Sequence, residues 1–315
     1  MKKIASVVGA RPNFIKLAPI HNLMSDSKYV SKFKHVIIHT GQHYDYKLSE
    51  IFFSEFNLPT PDYNLDVGSA SPCIQIAEMI SKLEHLFRSL KIDIAIVYGD
   101  TNSTLAGALA GTKSMIKVAH VEAGLRSFYR EMPEEINRVL TDHISNFLYS
   151  PTKTAINNLK LENIQGEVLE TGDVSVEIIK TAETKIDNSL ILDKLKLVPK
   201  NYYLFTLHRS ENTNFTSLKS ITEIFNRIPE AKIVFPIHPR TANILAQSNL
   251  LVELKKCKNV ILIDPVGYLD FIKLVKYSEK VITDSGGTQK EAYLLNTPCV
   301  TIRNNTEWIE TINED

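Results

Sequence analysis

Short apolar runs rich in Val and Ile alternate along this chain with longer segments whose apolar positions recur at helical spacing. The runs predict strands at 4–8, 36–40, 92–98, 118–121, 147–149 and 167–170, then at 203–207, 233–236, 260–263, 281–283 and 299–302. Helices are predicted between them over 12–24, 74–90, 101–112, 134–145, 215–227, 268–277 and 287–295. Such alternation means βαβ units, hence parallel sheets covered by helices on both faces. Between about 174 and 201 the pattern loses strands and gains lysines, ending in KLKLVPKN, and a domain junction is expected there. The expected architecture is α/β, with one Rossmann-like domain over 1–175 and a second over 176–315, facing each other across a cleft.

Parallel sheets bind ligands outside the carboxyl ends of their strands, and the unusual polar residues fall at those ends. The first domain delivers Arg11, Gln42, His43, Asp100 and Glu122; the second delivers His208, Arg209, His238, Arg240, Asp264, Asp284 and Ser285. Carboxylates gathered there suit proton transfer on a bound ligand. Glu134 and Glu135 follow Pro133 at a helix start, where acids also serve a structural end, and Glu134 has Arg138 at i,i+4. Asp100 precedes Thr101 and a helix, so a capping role stands beside the catalytic one.

In Asp284-Ser285-Gly286-Gly287 a strand runs into a helix through two glycines, which lets backbone N–H groups approach an anion at a helix N-terminus. The alternative is an Asp/Ser cap on a glycine turn. Glu291, one turn further on, suits a ribose diol or a solvated helix surface. His208 and Arg209, in the company of Arg11, Lys16 and His238, suit the charge of a diphosphate.

Lys+Arg and Asp+Glu both number 36, a balance that argues against a general nucleic-acid binder. The opening MKKIASVVGARP reads as a strand rather than a leader, and no apolar segment approaches the ~20 residues of a membrane span. Cys73, Cys257 and Cys299 are scattered, which fits a reducing cytoplasm. No cofactor is indicated. There is no GxGxxG for a tightly held NAD and no Walker A sequence, and Pro151 interrupts the Tyr149–Lys153 spacing of a redox epimerase. His39 and His43 have a helical zinc spacing that Thr40-Gly41 break, so no metal is expected. Acids without metal, and basic groups around a phosphate site, suggest a nucleotide-sugar enzyme.

With these residues in place the chain resembles the non-hydrolysing UDP-N-acetylglucosamine 2-epimerase family. The likeness runs through GARPNFIKLAP, HTGQHYD, VYGDTNSTLAGALA, HVEAGLRS, MPEEINRVLTDHIS, TLHRSEN, HPRT, IDPVGYL, TDSGGTQKEA and PCVTIRNNTE, in that order. The resemblance implies a GT-B-like pair of domains, usually in a homodimer, and a UDP-sugar substrate. The reaction it implies is elimination of UDP across C1–C2 to a glycal, then re-addition with a proton on the other face. It implies Asp100, Glu122 and Glu134 as acid/base groups, with Glu135 as support. Arg11, Lys16 and His208 would neutralise the diphosphate or position the sugar, Ser285, Gly286 and Gly287 would hold phosphate, and Glu291 the ribose.

Two departures, Asn13-Phe14 after GARP and Trp308-Ile309 after NTE, look more like the branch acting on UDP-2,3-diacetamido-2,3-dideoxyglucuronate. The sequence also stops short of a glycine-rich stretch and closing helices that the resemblance leads one to expect. A GT-B glycosyltransferase and an inactive nucleotide-sugar binder are the readings of another class.

Overall fold

The computed structural model describes residues 1–42, 53–209, 211–248 and 250–312. It divides into two compact units, Met1–Ile178 and Ile179–Asp315.

Among its described residues the first unit has seven strands, β1 (Lys2–Val8), β2 (Phe33–His39), β3 (Tyr63–Asn64), β4 (Ile94–Tyr98), β5 (Lys117–Val121), β6 (Phe147–Ser150) and β7 (Glu167–Glu170). They form one parallel sheet in the order β3-β2-β1-β4-β5-β6-β7. Its helices include α1 (Arg11–Ser25), α2 (Pro72–Leu90), α3 (Asn102–Lys113), α4 (Pro133–Ile144), α5 (Lys153–Leu161) and α6 (Val174–Lys185), the last running across the division between the units. Ile4 to Val8 are buried without a break, as expected of a strand covered on both faces. Ala5, Val7, Ala95 and Val97 share a core with Met79, Leu83 and Phe87 of α2 and the small Ala106 and Ala110 of α3.

The second unit has β8 (Tyr203–Thr206), β9 (Ile233–Pro236), β10 (Val260–Ile263), β11 (Lys280–Thr283) and β12 (Cys299–Thr301) in the parallel order β10-β9-β8-β11-β12. Around it lie α7 (Ile191–Lys194), α8 (Phe215–Arg227), α9 (Pro239–Gln247), α10 (Leu250–Lys256), α11 (Tyr268–Tyr277) and α12 (Gly286–Leu294). Phe205 meets Phe225 and Phe235 edge-on, with ring centroids 5.1 and 4.8 Å apart.

Strand order decides where each unit can hold a ligand. In the first sheet it reverses between β1 and β4, in the second between β8 and β11. A crevice opens at such switch points, outside the carboxyl ends of the strands. No described helix is long and apolar enough to cross a membrane.

The stretch after about 174, where the pattern loses strands, has none before β8 and is helical in α6 and α7; α5, α9 and α10 also lie where no helix was predicted. The two-residue edge strand β3 was likewise unforeseen. α4 departs from ordinary amphipathicity: Glu135, Arg138 and Asp142 are buried, while Ile136 and Leu140 are about half exposed. Residues at i, i+3 and i+7 share one helix face, so the inward stripe of α4 is ionic.

Candidate active site

At the first switch point, β1 turns into α1 through Gly9 and Ala10. Asn13 closes that turn, its Oδ1 accepting from the amides of Gly9 (3.1 Å) and Ala10 (3.0 Å). Its Nδ2 donates to the Tyr98 carbonyl at the end of β4 (2.8 Å), and Thr101 Oγ1 reaches its Oδ1 at 3.3 Å. The turn carrying Arg11 is thereby tied to the turn carrying Asp100.

The Lys16 ammonium sits 2.6 Å from Glu122 Oε1, with both side chains 9% exposed. A Cβ on Gly99 would fall 2.7 Å from Lys16 Nζ and 3.6 Å from Glu122 Oε1. Gly99 also has φ +65°, so glycine is required there on both counts. Glu122 itself is left-handed at φ +75°, a conformation costing a residue with a Cβ on the order of 1 kcal/mol and met chiefly where surrounding structure enforces it.

Asp100 is not the helix cap. Thr101 is, its Oγ1 accepting from Thr104 N. The Asp100 carboxylate instead meets Arg138 NH2 at 2.6 Å. Arg138 NH1 donates to Glu135 Oε2 (2.8 Å), so the Glu134–Arg138 pair suggested by i,i+4 spacing is replaced by Glu135–Arg138 at i,i+3. The reason is orientation: Glu135 faces inward, where it also accepts from the Ser127 amide and hydroxyl and the Phe128 amide, each at 2.9 Å. Glu134 is exposed on the first turn of α4, and among the described residues no hydrogen bond or ion pair holds its carboxylate.

At the second switch point, Asp284 is fully buried after β11 and binds the turn after β8. Its carboxylate accepts from the amides of His208 (3.2 Å) and Arg209 (2.9 Å) and meets His208 Nδ1 at 3.0 Å. Burial pushes this carboxyl up, but the hydrogen bond and charge of His208, with the Arg209 amide and Asn212, outweigh it and hold it below the usual carboxylate value. Arg209 Nε donates to the Asp284 carbonyl (2.8 Å). His208 keeps a side chain 40% exposed, its ring 5.7 Å from that of His238, which is exposed.

Ser285 caps α12 by accepting from Thr288 N. The two glycines behind it are not equivalent. A Cβ on Gly286 would collide with Glu307 Oε1 at 2.0 Å, whereas among the described residues a Cβ on Gly287 would meet only Ser285 Oγ at 3.7 Å. Gly286 makes room for the protein, and Gly287 leaves room outside it. Glu291 is 9% exposed, which rules out a solvated helix glutamate.

Each unit therefore gathers its own share of the predicted residues: Arg11, Lys16, Asp100, Glu122 and, one helical turn from Arg138, Glu134 in the first; His208, Arg209, His238, Ser285, Gly286, Gly287 and Glu291 in the second. Gln42 is turned to α3, its Oε1 accepting from the Ser103 amide (3.0 Å) and hydroxyl (2.6 Å). His43, Ser210 and the side chain of Arg240 lie outside the described residues. His39 packs on Phe14 and accepts from the Gly41 amide, a core role. Sequence reasoning gave no role to His120 or Asp142 and treated Arg138 only as a partner for Glu134. The signal available was their place inside HVEAGLRS and MPEEINRVLTDHIS.

Two Rossmann-like units with their charged side chains gathered at the switch points define a GT-B-like α/β protein. Within that class the chain belongs to the UDP-N-acetylglucosamine 2-epimerase family, whose sequence profile matches residues 26–315. It is 53% identical over 314 residues to a UDP-N-acetylglucosamine 2-epimerase homolog of Methanococcus maripaludis, covering 98% of this chain and 86% of that one. The crystal structure of Methanocaldococcus jannaschii UDP-GlcNAc 2-epimerase in complex with UDP-GlcNAc and UDP is similar at a TM-score of 0.92 and 44% identity, over 98% of this chain and 86% of that chain. The UDP-2,3-diacetamido-2,3-dideoxy-D-glucuronate 2-epimerase of Pseudomonas aeruginosa is 41% identical over 319 residues, 98% of this chain and 86% of its own length.

Proposed function

We propose that this chain is an isomerase that interconverts UDP-GlcNAc and UDP-ManNAc without hydrolysis. The observation that carries the reading is the pair of acids just beyond the ends of adjacent strands. Tyr98 and Val121 are register partners, and Asp100 and Glu122 follow them in the turns after β4 and β5, each 2.6 Å from a cation. Inversion at C2 needs a base on one face and an acid on the other. One carboxylate takes the C2 proton as the C1–O bond breaks, its electron pair leaving with UDP and C1=C2 forming. UDP then adds back at C1 while a second acid protonates C2 from the opposite side. Asp100, Glu122 and Glu134 are the groups for these transfers.

Arg11 and Lys16 in the first unit, and His208 and Arg209 in the second with His238 beside His208, are each suited to hydrogen-bonding a diphosphate oxygen. Ser285 to Gly287 offer the α12 N-terminus to a phosphate, and Glu291 a carboxylate to the ribose. The Asp284 contact to Nδ1 leaves Nε2 as the ring nitrogen of His208 for a ligand.

The test is solvent exchange. UDP-GlcNAc incubated with the protein in D2O gains deuterium at C2 and equilibrates with UDP-ManNAc by NMR. Sugar transfer to an acceptor without C2 exchange, or release of free N-acetylmannosamine, overturns the assignment. UDP-2,3-diacetamido-2,3-dideoxyglucuronate is the competing substrate to run beside it. Asn13 and Trp308, the residues that suggested it, are both buried in protein contacts, Trp308 with Lys290 Nζ 4.2 Å from its ring centroid. A homodimer and a reducing cytoplasm, in keeping with the free thiols Cys73, Cys257 and Cys299, belong to the same reading; sedimentation measures the first.

The inequivalent glycines give a second check. Gly287→Ala fits the protein without displacement, so its thermal stability stays close to that of the parent. Its UDP affinity falls about tenfold, a loss of ~1.4 kcal/mol, if phosphate lies against the first turn of α12. Gly286→Ala instead displaces Glu307 and lowers the melting temperature. Unchanged UDP binding by calorimetry in Gly287→Ala would remove the phosphate from that turn.

A further inference from the structure

Beneath the two acids lies a buried ionic chain that the proposed chemistry does not use. His120, on β5, has no exposed surface. Its Nε2 is 2.7 Å from the Gly99 carbonyl, the residue before Asp100, and its Nδ1 is 2.6 Å from Asp142 Oδ1. Both contacts are to acceptors when Asp142 is ionised, so each ring nitrogen carries a hydrogen. Asp142, also fully buried, uses Oδ2 to accept from the Gly124 amide (3.1 Å) and Arg126 NH1 (2.7 Å). Burial raises the Asp142 carboxyl, but the charge and hydrogen bond of His120, then those of Arg126, exceed that effect and hold it below the usual carboxylate value. Arg126 continues the chain through Nε and NH2 to both oxygens of Glu162 at 2.7 and 2.8 Å.

We propose that His120 and Asp142 are positioning residues for the candidate acids: one buried carboxylate, acting directly and through one imidazole, fixes the Gly99–Asp100 turn against the Glu122–Gly124 turn. The inference rests on the epimerase reading of those acids. Three observations converge on it. Glu122 and Gly124 are both left-handed, at φ +75° and +86°, and Asp142 binds the amide that ends this strained segment. Gly99, left-handed at φ +65°, is gripped from both sides, its amide donating to the Val121 carbonyl (3.0 Å) and its carbonyl accepting from His120. Asp142 lies one turn along α4 from Arg138, which holds the Asp100 carboxylate itself. One helix face thus grips one acid by its side chain and both acid-bearing turns by their backbone. With no exposed surface, His120 and Asp142 touch no substrate; what they control is where the acids stand, and misplacement by a fraction of an ångström slows proton transfer.

Two substitutions separate the contacts of His120. His120→Asn retains a donor near the Nδ1 position, for Asp142, and loses the reach to Gly99. His120→Gln retains a donor near the Nε2 position, for Gly99. The expected result is a fall of about tenfold in kcat for C2 exchange in His120→Asn, with KM and UDP affinity little changed, and recovery of most of that loss in His120→Gln. Equal loss in both variants, or parental kcat in a folded His120→Asn protein, overturns the proposal. Should the variants not fold, the parent protein decides: 15N NMR of its His120 must show hydrogen on both ring nitrogens, and a bare nitrogen overturns the network. Absence of C2 exchange in the parent would sink the epimerase reading, whereas exchange in the parent with full activity in His120→Asn sinks only the positioning role.

Discussion

Asp100→Asn is expected to lower turnover by about 10²–10⁴-fold, the usual contribution of a positioned acid or base, while UDP binding and the fold survive. Asn keeps the shape of the carboxylate and loses its charge and basicity. The partner left behind, Arg138, remains paired with Glu135 at 2.8 Å, so no buried cation is stranded. Glu122→Gln would be expected to cost as much in rate, but it is a poorer experiment. Lys16 is buried and pairs with Glu122. Removing that charge from a buried pair destabilises by ~3–5 kcal/mol, enough to confuse a loss of chemistry with a loss of folded protein. Deuterium exchange at C2, measured beside UDP titration and thermal melting for Asp100→Asn, keeps the two effects apart. Turnover within threefold of the parent would remove Asp100 from the chemistry.

Much of this arrangement was legible because strand ends are written in the sequence. The buried runs of β4 and β5 stop at Gly99 and Glu122, and the polar residues beyond them are where a parallel sheet must place its ligand. The helices that escaped prediction are short or weakly patterned. α5 is nine residues long and follows Pro151, and α9 and α10 divide a short stretch between them. α4 was legible as a helix but not as a clamp. Its exposed Ile136 and Leu140 and buried Glu135, Arg138 and Asp142 invert the usual rule, and no periodicity argument anticipates a charged inner face. Gly286 and Gly287 likewise look alike as letters. Only the approach of Glu307 from beyond β12 separates a glycine that packs from one that opens outward. Asn13 and Trp308 teach the same lesson in reverse, since residues that as letters pointed to a different sugar here serve internal contacts.

Acid should loosen the first unit as pH falls from 6.5 toward 4, and the cause lies in two facing imidazoles. His35 on β2 presents Nδ1 to His21 Nδ1 of α1 at 3.1 Å, and its Nε2 lies 2.7 Å from Ser6 Oγ, which in turn lies 2.7 Å from the Tyr98 hydroxyl. One hydrogen serves the Nδ1–Nδ1 contact, and a second would set two N–H groups against each other. Burial, then the neighbouring His21, lowers His35 from 6.5 to about 4, with Asp62 opposing; His21 is lowered by burial, again against Asp62. Between pH 6.5 and about 4 the unfolded chain therefore binds a proton at His35 that the folded chain refuses. The stability this represents is complete above pH 6.5 and is lost as pH falls toward 4, with no further loss below. At ~1.4 kcal/mol per pH unit the shift amounts to about 3 kcal/mol, and His21 adds in the same direction. Because α1 also carries Arg11 and Lys16, the loss falls on the element that bears the cations of the first switch point. Urea unfolding at intervals from pH 7.5 to 4 measures it, with His35→Gln as the reference. That variant lacks the titrating group, so its stability should decline by about 3 kcal/mol less than the parent's across the window, the ordinary carboxylates being common to both. Parallel curves for the two proteins would show that His35 is not the group that couples folding to acid.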